Sequence, residues 1–150
     1  MDTAIVFDRC IYCFAPKRTS GSCQSCGYEN GLCDMPVWLL MPGTILKGQY
    51  MVGRLLRNTE TEFTYLGWDL KRERLLEITE FFSQRTMTRD ITHSVEVSYI
   101  PGKEDHARQE ISEFAEKVTR NAHCTAPESL PVLDGFLRNN TAYVVRKIEF

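Results

Sequence analysis

The sequence predicts an α+β protein in which a small cysteine-rich module precedes a five-stranded antiparallel sheet with one main helix. Two Cys-x-x-Cys pairs lie near the start of the chain, and runs of β-branched and aromatic residues follow from residue 50 onwards. An apolar stripe with helical spacing interrupts those runs. These observations place the module at residues 1–34, a linker at 35–41 and the sheet-and-helix domain at 42–150.

The cysteine pairs are Cys10 with Cys13 and Cys23 with Cys26, and nine residues separate them. Each pair places two thiolates on one tight turn, and two facing turns supply the four sulfurs of a tetrahedral Zn²⁺ site. Gly27 follows the second pair and permits the positive φ that lets backbone N–H groups point at the sulfurs. A segment this short cannot build a hydrophobic core, so we expect the metal to supply its folding free energy. Two disulfides, or four unrelated thiols, are the alternatives.

Composition indicates a cytoplasmic protein. Six cysteines without a secretion signal fit a reducing compartment, and no apolar run is long enough to span a bilayer. Cys33 is a possible spare ligand, and Cys124 is interpreted as a small buried residue. A net charge of −2 provides no positive field for nucleic acid or an anionic membrane, so Lys17 and Arg18 make only a local case for nucleic acid.

The domain is predicted to begin with three strands and to continue into one helix. The strands are predicted at 50–56, 61–68 and 75–82, with a charged turn at 69–74 and a short strand at 95–99. Apolar residues recur every three or four positions between residues 104 and 122, which predicts a helix with Glu104 and Asp105 in its first turn. Pro127 prevents its continuation.

Two last strands are predicted at 131–137 and 141–147. They flank Asn139 and Asn140, residues that tolerate the positive φ of a hairpin turn. The predicted order is therefore three strands, one helix and two strands.

This order, together with four segments, resembles the N-terminal lobe of a protein kinase. The segments are PGTILKGQY at 42–50, FTYLGWD at 63–69, ITEFF at 78–82 with TRD at 88–90, and VLDGF at 132–136 with NTAYVV at 140–145. The chain looks most like the bacterial serine/threonine kinases that carry a zinc ribbon ahead of this lobe. The resemblance covers roughly residues 41 to 150.

The residues that would handle ATP depart from the kinase pattern. Kinases cover the phosphates with a glycine-rich loop, because only glycine lets the backbone approach them closely. The three matching positions are Arg57, Thr59 and Glu62, and the carboxylate of Glu62 would repel phosphate. Thr79 replaces the strand-three lysine that would hold the α- and β-phosphates.

Further departures concern the helix and the hinge. The partner glutamate of that lysine falls at Lys117, although a shift of one residue would place Glu116 there. Arg146 takes the gatekeeper position before the hinge. Lys117 and Arg146 could form a different anion site, but the simpler interpretation is that Lys117 is solvated and Arg146 pairs with Glu80 or Glu116.

The resemblance implies a non-catalytic protein. The sequence contains no His-Arg-Asp catalytic loop and no Asp-Phe-Gly, so we expect no enzyme activity and no ATP as cofactor. We expect structural Zn²⁺, and an interaction or regulatory role through self-association or a protein partner. Binding would use the face that a second lobe covers in a kinase. The alternatives are a nucleotide-sensing lobe that holds adenine near Lys147 and Glu149, and an N-terminal fragment of a serine/threonine kinase.

Overall fold

The structure is a computed structural model that describes residues 9–16, 22–28, 35–122 and 132–148. Several residues discussed above lie outside the described residues: Lys17, Arg18, Cys33, Cys124, Pro127 and Glu149. Within the described ranges, no helix is both long and apolar enough to cross a bilayer.

One antiparallel sheet and one helix form the frame of the molecule, so the α+β class is confirmed. The sheet has the order β1-β2-β3-β4-β8-β7, and β5 pairs separately with β6. The elements are β1 Ile45–Leu46, β2 Tyr50–Asn58, β3 Glu62–Asp69, β4 Arg74–Phe81, β5 Met87–Thr88, β6 Ser98–Tyr99, α1 Glu104–Ala122, β7 Val132–Arg138 and β8 Thr141–Lys147.

The main sheet has six strands in the part of the chain that is described, where the sequence predicts five. The additional strand, β1, contains only two residues, and a run that short shows no periodicity in the sequence. The helix has the predicted bounds, because its apolar spacing is regular and its first turn is acidic. Asn139 and Asn140 turn the last hairpin with φ values of 54° and 63°.

The sheet curls until β2, near one edge, meets β7 at the other edge. Tyr50 on β2 stacks on Phe136 of β7 with ring centroids 5.9 Å apart, and its hydroxyl donates to Asp134 at 2.7 Å. Lys47, in the turn before β2, also donates to Asp134, at 2.8 Å. The concave side of the curl, here called the inner face, carries the main core. Its central members are Val52, Tyr65, Leu76, Ile78, Tyr143 and Val145.

The stretch predicted as a linker, at 35–41, contributes to this core. Leu39 and Leu40 are buried against the inner face, and the Leu40 N–H donates to the Tyr65 hydroxyl at 3.1 Å. Helix α1 packs across β7 and β8, and Phe114 lies 5.2 Å from Phe81 between ring centroids. The segment before β1 therefore covers part of the inner face, while α1 packs on β7, β8 and the end of β4.

A buried ion pair crosses the inner core. The Arg89 guanidinium donates two hydrogen bonds to the Glu80 carboxylate, at 2.7 and 2.8 Å, and neither side chain is exposed to solvent. Arg89 also donates to the Trp38 carbonyl at 2.6 and 3.0 Å, and the Tyr143 hydroxyl donates to Glu80. Burial, followed by the Glu80 charge, raises the pKa of Tyr143, so this hydroxyl stays protonated and donating. The pair joins β4, β8 and the segment before β1.

Breaking this pair should destabilise the protein strongly. Glu80→Ala leaves the Arg89 charge buried without a partner, so we expect the free energy of unfolding to fall by about 3–5 kcal/mol. Glu60→Ala is the matched control, because its ion pair with Arg85 is exposed and worth about 1 kcal/mol or less. Urea unfolding of both variants measures the difference. Equal losses in the two variants would contradict a structural role for the buried pair.

Candidate functional site

Each Cys-x-x-Cys pair folds into a tight turn held by the same two backbone hydrogen bonds. In the first turn, the Phe14 N–H donates to the Cys10 carbonyl at 2.8 Å, and the Cys10 N–H donates to the Ala15 carbonyl at 2.9 Å. The second turn repeats both bonds at the same offsets from Cys23, again at 2.8 and 2.9 Å. Two turns of one geometry are therefore built from unrelated residues between and after the cysteines.

The two turns bring four sulfurs together. Cys10 Sγ lies 3.7 Å from Cys26 Sγ, Cys13 Sγ lies 3.8 Å from Cys23 Sγ, and all four atoms lie within 4.8 Å of one another. A tetrahedron with Zn–S bonds of about 2.3 Å has edges of about 3.8 Å, whereas a disulfide needs a separation of about 2 Å. The cluster therefore has the dimensions of a four-thiolate metal site and is compatible with zinc.

Backbone N–H groups and the crowding of the thiols give the sulfurs different proton affinities. Donation from the N–H groups of Cys26 and Ser25 lowers the pKa of Cys23 to about 6. Burial of its sulfur and the neighbouring thiols raise the pKa of Cys26 to about 12, although the residue as a whole is exposed. Four thiolates this close repel one another without a cation, so a bound metal is what lets all four lose their protons.

The first turn docks on the convex side of the sheet, here called the outer face. Phe14 is buried, and its ring centroid lies 6.0 Å from that of Trp68 on β3. The Arg54 N–H donates to the Tyr12 carbonyl at 2.9 Å, at the bulge where β2 departs from its pairing with β3. The Arg9 guanidinium lies 4.3 Å from the centroid of the Trp68 ring system. The cysteine module and the sheet are therefore packed together.

The positions that match the phosphate-binding residues of kinases are engaged with their neighbours. The Thr79 hydroxyl is buried and hydrogen-bonded to that of Thr64 at 3.0 Å. The Arg57 guanidinium contacts Glu77, and the alternation of β4 places Glu77 on the same face as Thr79. Thr59 and Glu62 close the turn between β2 and β3, where the Thr59 N–H donates to the Glu62 carbonyl at 2.8 Å.

Among the described residues, no hydrogen bond or ion pair joins Arg146 to either helix candidate, Glu116 or Lys117. Arg146 is half-buried on β8 directly opposite Glu77 of β4. Lys117 and Glu116 are both exposed, so the buried side of the helix passes through Val118 instead. The expected pairing of Arg146 with Glu80 is wrong, because Glu80 points to the inner face and is held by Arg89.

Sequence reasoning missed three residues that shape this region. Phe14 anchors the cysteine module, Gly53 makes room for it, and Glu77 binds Arg57. The signal for Phe14 was available, since it follows its cysteine pair at the position that Gly27 occupies after the second pair. Gly53 and Glu77 act through partners distant in sequence, which no local pattern identifies.

The comparisons with known proteins concern the fold. No protein-family model matches the chain, and no curated protein matches it by sequence. The solved structure of PpkA-294 in its apo form, a bacterial kinase-related protein, matches with a TM-score of 0.67 at 18% identity. The match covers 74% of this chain and 39% of that one, so the chain spans about two fifths of its length. The likeness supports a kinase-like fold for this chain.

Metal analysis tests the four-cysteine site. Protein purified without added metal should contain about one zinc ion per chain, and Cys10→Ser or Cys26→Ser should lose it because each removes one ligand. Elemental analysis alongside a thiol assay makes the measurement. Cys33→Ser and Cys124→Ser are matched controls that should retain the metal. Substoichiometric metal together with oxidised cysteines would contradict the site.

Proposed function

We propose that this protein is a non-catalytic, zinc-binding lobe that serves as a protein-interaction or regulatory module. One observation carries the proposal: the position of the phosphate-binding lysine is held by Thr79, whose hydroxyl is already bound to Thr64. A threonine offers no charge to the phosphates, and the hydroxyl of this one is held by Thr64. The kinase-like frame is therefore proposed to serve as a scaffold.

The surroundings of Thr79 support the same proposal. Glu77 places a carboxylate on that face, and Arg57 neutralises it by pairing with it. Arg57 stands where a kinase has the first glycine of its phosphate loop, so both its side chain and its ion pair occupy space that the loop would need. A nucleotide would have to break this pair in order to approach, which weakens the nucleotide-sensing alternative.

Zinc is proposed as a structural ion held by Cys10, Cys13, Cys23 and Cys26. The cluster leaves no open position for a water or substrate once all four sulfurs bind the metal, which is the arrangement of structural sites and not of catalytic ones. The ion would join the second turn to the first, which docks on the sheet through Phe14, and would so hold the module in place.

An apolar surface on the last hairpin supports the interaction role. Leu137 on β7 is 62% exposed, and Leu133 on the same strand is 39% exposed. Leu137 also lines a cavity of about 150 Å³ together with Phe114 and Val118 of the helix. Such exposed apolar residues around a groove are typical of protein-binding surfaces. Asp134 accepts the Gly135 N–H at 2.8 Å, which occupies one backbone donor of this edge strand.

The nucleotide-sensing alternative is tested by thermal unfolding with millimolar ATP or ADP and Mg²⁺. We expect no change in melting temperature, because Thr79 is already bound to Thr64 and Glu77 to Arg57. A ligand at a hundred times its Kd would stabilise the fold by about 2.7 kcal/mol, which is easily detected. A saturable rise that disappears in Arg146→Ala but persists in Lys117→Ala would favour a nucleotide sensor and locate its site.

The interaction surface is tested by sedimentation over a range of protein concentrations. We expect self-association that Leu137→Glu weakens by about 2 kcal/mol or more, since the substitution would bury a charge in the contact. Val37→Glu is the matched control, because Val37 is 42% exposed but lies in the segment before β1 and does not line the cavity beside Leu137. Monomeric behaviour at every concentration, without binding of an apolar dye, would count against this surface.

A further inference from the structure

The two metal-binding turns share one geometry, but the residue that follows the second cysteine is Phe14 in the first turn and Gly27 in the second. The residue after the second cysteine has a positive φ in both turns, 80° at Gly27 and 62° at Phe14. Glycine adopts this backbone freely, whereas a side chain with a Cβ is strained there. Nothing would lie within 4 Å of a Cβ on Gly27, so that turn is held by its own bonds. Phe14 adopts the strained form of the same turn.

Apolar contacts with the sheet offset the free-energy cost of this strain at Phe14. Phe14 is 2% exposed and packs beside Trp68, Met51 and Leu66 on the outer face. A Cβ on Gly53 would lie 2.6 Å from Phe14 Cε2 and 2.8 Å from the Tyr12 carbonyl oxygen, so only glycine leaves the space that the docked turn occupies. The phenyl ring is therefore buried while its backbone is left-handed, in the space that Gly53 leaves.

The second turn meets the first at the sulfurs and through one aromatic stack. Tyr12 and Tyr28 lie parallel, with ring centroids 4.8 Å apart. The first turn supplies the contacts to the sheet described above, at Phe14, Tyr12 and Arg9. Without the metal, the four sulfurs lose the ion that holds them together, and the turn that positions Phe14 loses its main constraint.

We propose that metal binding at the four cysteines and docking of Phe14 on the sheet are coupled, so that the metal controls access to the outer face. With the metal bound, the turn holds Phe14 in its left-handed form and covers Met51, Leu66 and Trp68. Removal of the metal releases Phe14 to an unstrained backbone and uncovers this apolar cluster, next to Glu77 and Thr79. The inference rests on the zinc site of the proposed function and adds its regulatory consequence.

The fluorescence of Trp68 reports the docked state directly. Trp38→Phe leaves Trp68 as the single tryptophan, and the Trp38 carbonyl that binds Arg89 is unaffected by the substitution. On zinc removal by EDTA, we expect Trp68 emission to shift to longer wavelength and acrylamide quenching to rise, while the lobe keeps its far-UV circular dichroism and its melting transition. Trp68 that stays shielded after the metal has left would overturn the coupling. Collapse of the whole lobe would also overturn it, since the metal would then serve stability alone.

Variants on the two sides of the contact test reciprocity. Gly53→Ala blocks docking from the sheet and leaves all four cysteines in place. Since coupling acts equally in both directions, its zinc affinity, measured by competition with a chromophoric chelator, should fall by about five- to thirtyfold. Unchanged affinity in a folded Gly53→Ala variant with exposed Trp68 would overturn the proposal.

Two further variants separate strain from docking. Gly27→Ala introduces the same backbone strain into the second turn, away from the sheet. It should weaken zinc binding yet keep Trp68 shielded when zinc is saturating.

Phe14→Gly removes both the strain and the anchor, so it should keep its zinc while Trp68 becomes exposed. This variant also preserves the test if Gly53→Ala does not fold. A shielded Trp68 in Phe14→Gly would contradict the assigned anchor. Wild-type protein that binds no zinc at all would instead refute the metal site of the proposed function.

Discussion

One buried ion pair, Glu80 with Arg89, joins three distant parts of the chain. A carboxylate and a guanidinium without solvent contact are costly to bury, and only mutual pairing with further hydrogen bonds makes the arrangement tolerable. Those further bonds come from Tyr143 on β8 and from the Trp38 carbonyl in the segment before β1. The pair can therefore be fully hydrogen-bonded only when β4, β8 and the segment before β1 meet at one place. With the inner face closed in this way, the outer face is left to carry the cysteine module and the residues that match a kinase cleft.

Much of the frame could be predicted from local patterns. The helix follows from its apolar spacing and acidic first turn, and the last hairpin follows from Asn139 and Asn140. The four-cysteine cluster follows from cysteine spacing, because two cysteines that close in sequence must share one turn. Strand β1 and the bulge near Gly53 could not be predicted, since the first is too short for periodicity and the second depends on the Tyr12 carbonyl that replaces a partner strand.

Side-chain partners were the least predictable part of the site. The sequence favoured a pairing of Arg146 with Glu80 or Glu116, whereas Glu80 pairs with Arg89, because the choice depends on which face of β4 each residue meets. The alternation of β4 gives Glu80 to the inner face and Glu77 to the outer one. Arg57 on β2 then reaches Glu77 on β4 across β3, on the outer face. The residue at the first loop-glycine position therefore binds a carboxylate of the sheet and not a phosphate.

The asymmetry between Phe14 and Gly27 is the basis for proposing that the cysteine module has a role beyond its own folding. If the module only had to bind zinc, glycine would suit both turns, because it relieves backbone strain without loss of any ligand. Phenylalanine is the worse residue for the turn and the better one for the sheet, where Gly53 leaves room for its ring. A residue that opposes its local backbone preference needs a compensating contact elsewhere. Here that contact is the outer face beside Thr79 and Glu77, which links the metal-binding turn to the part of the kinase-like frame where function would be expected.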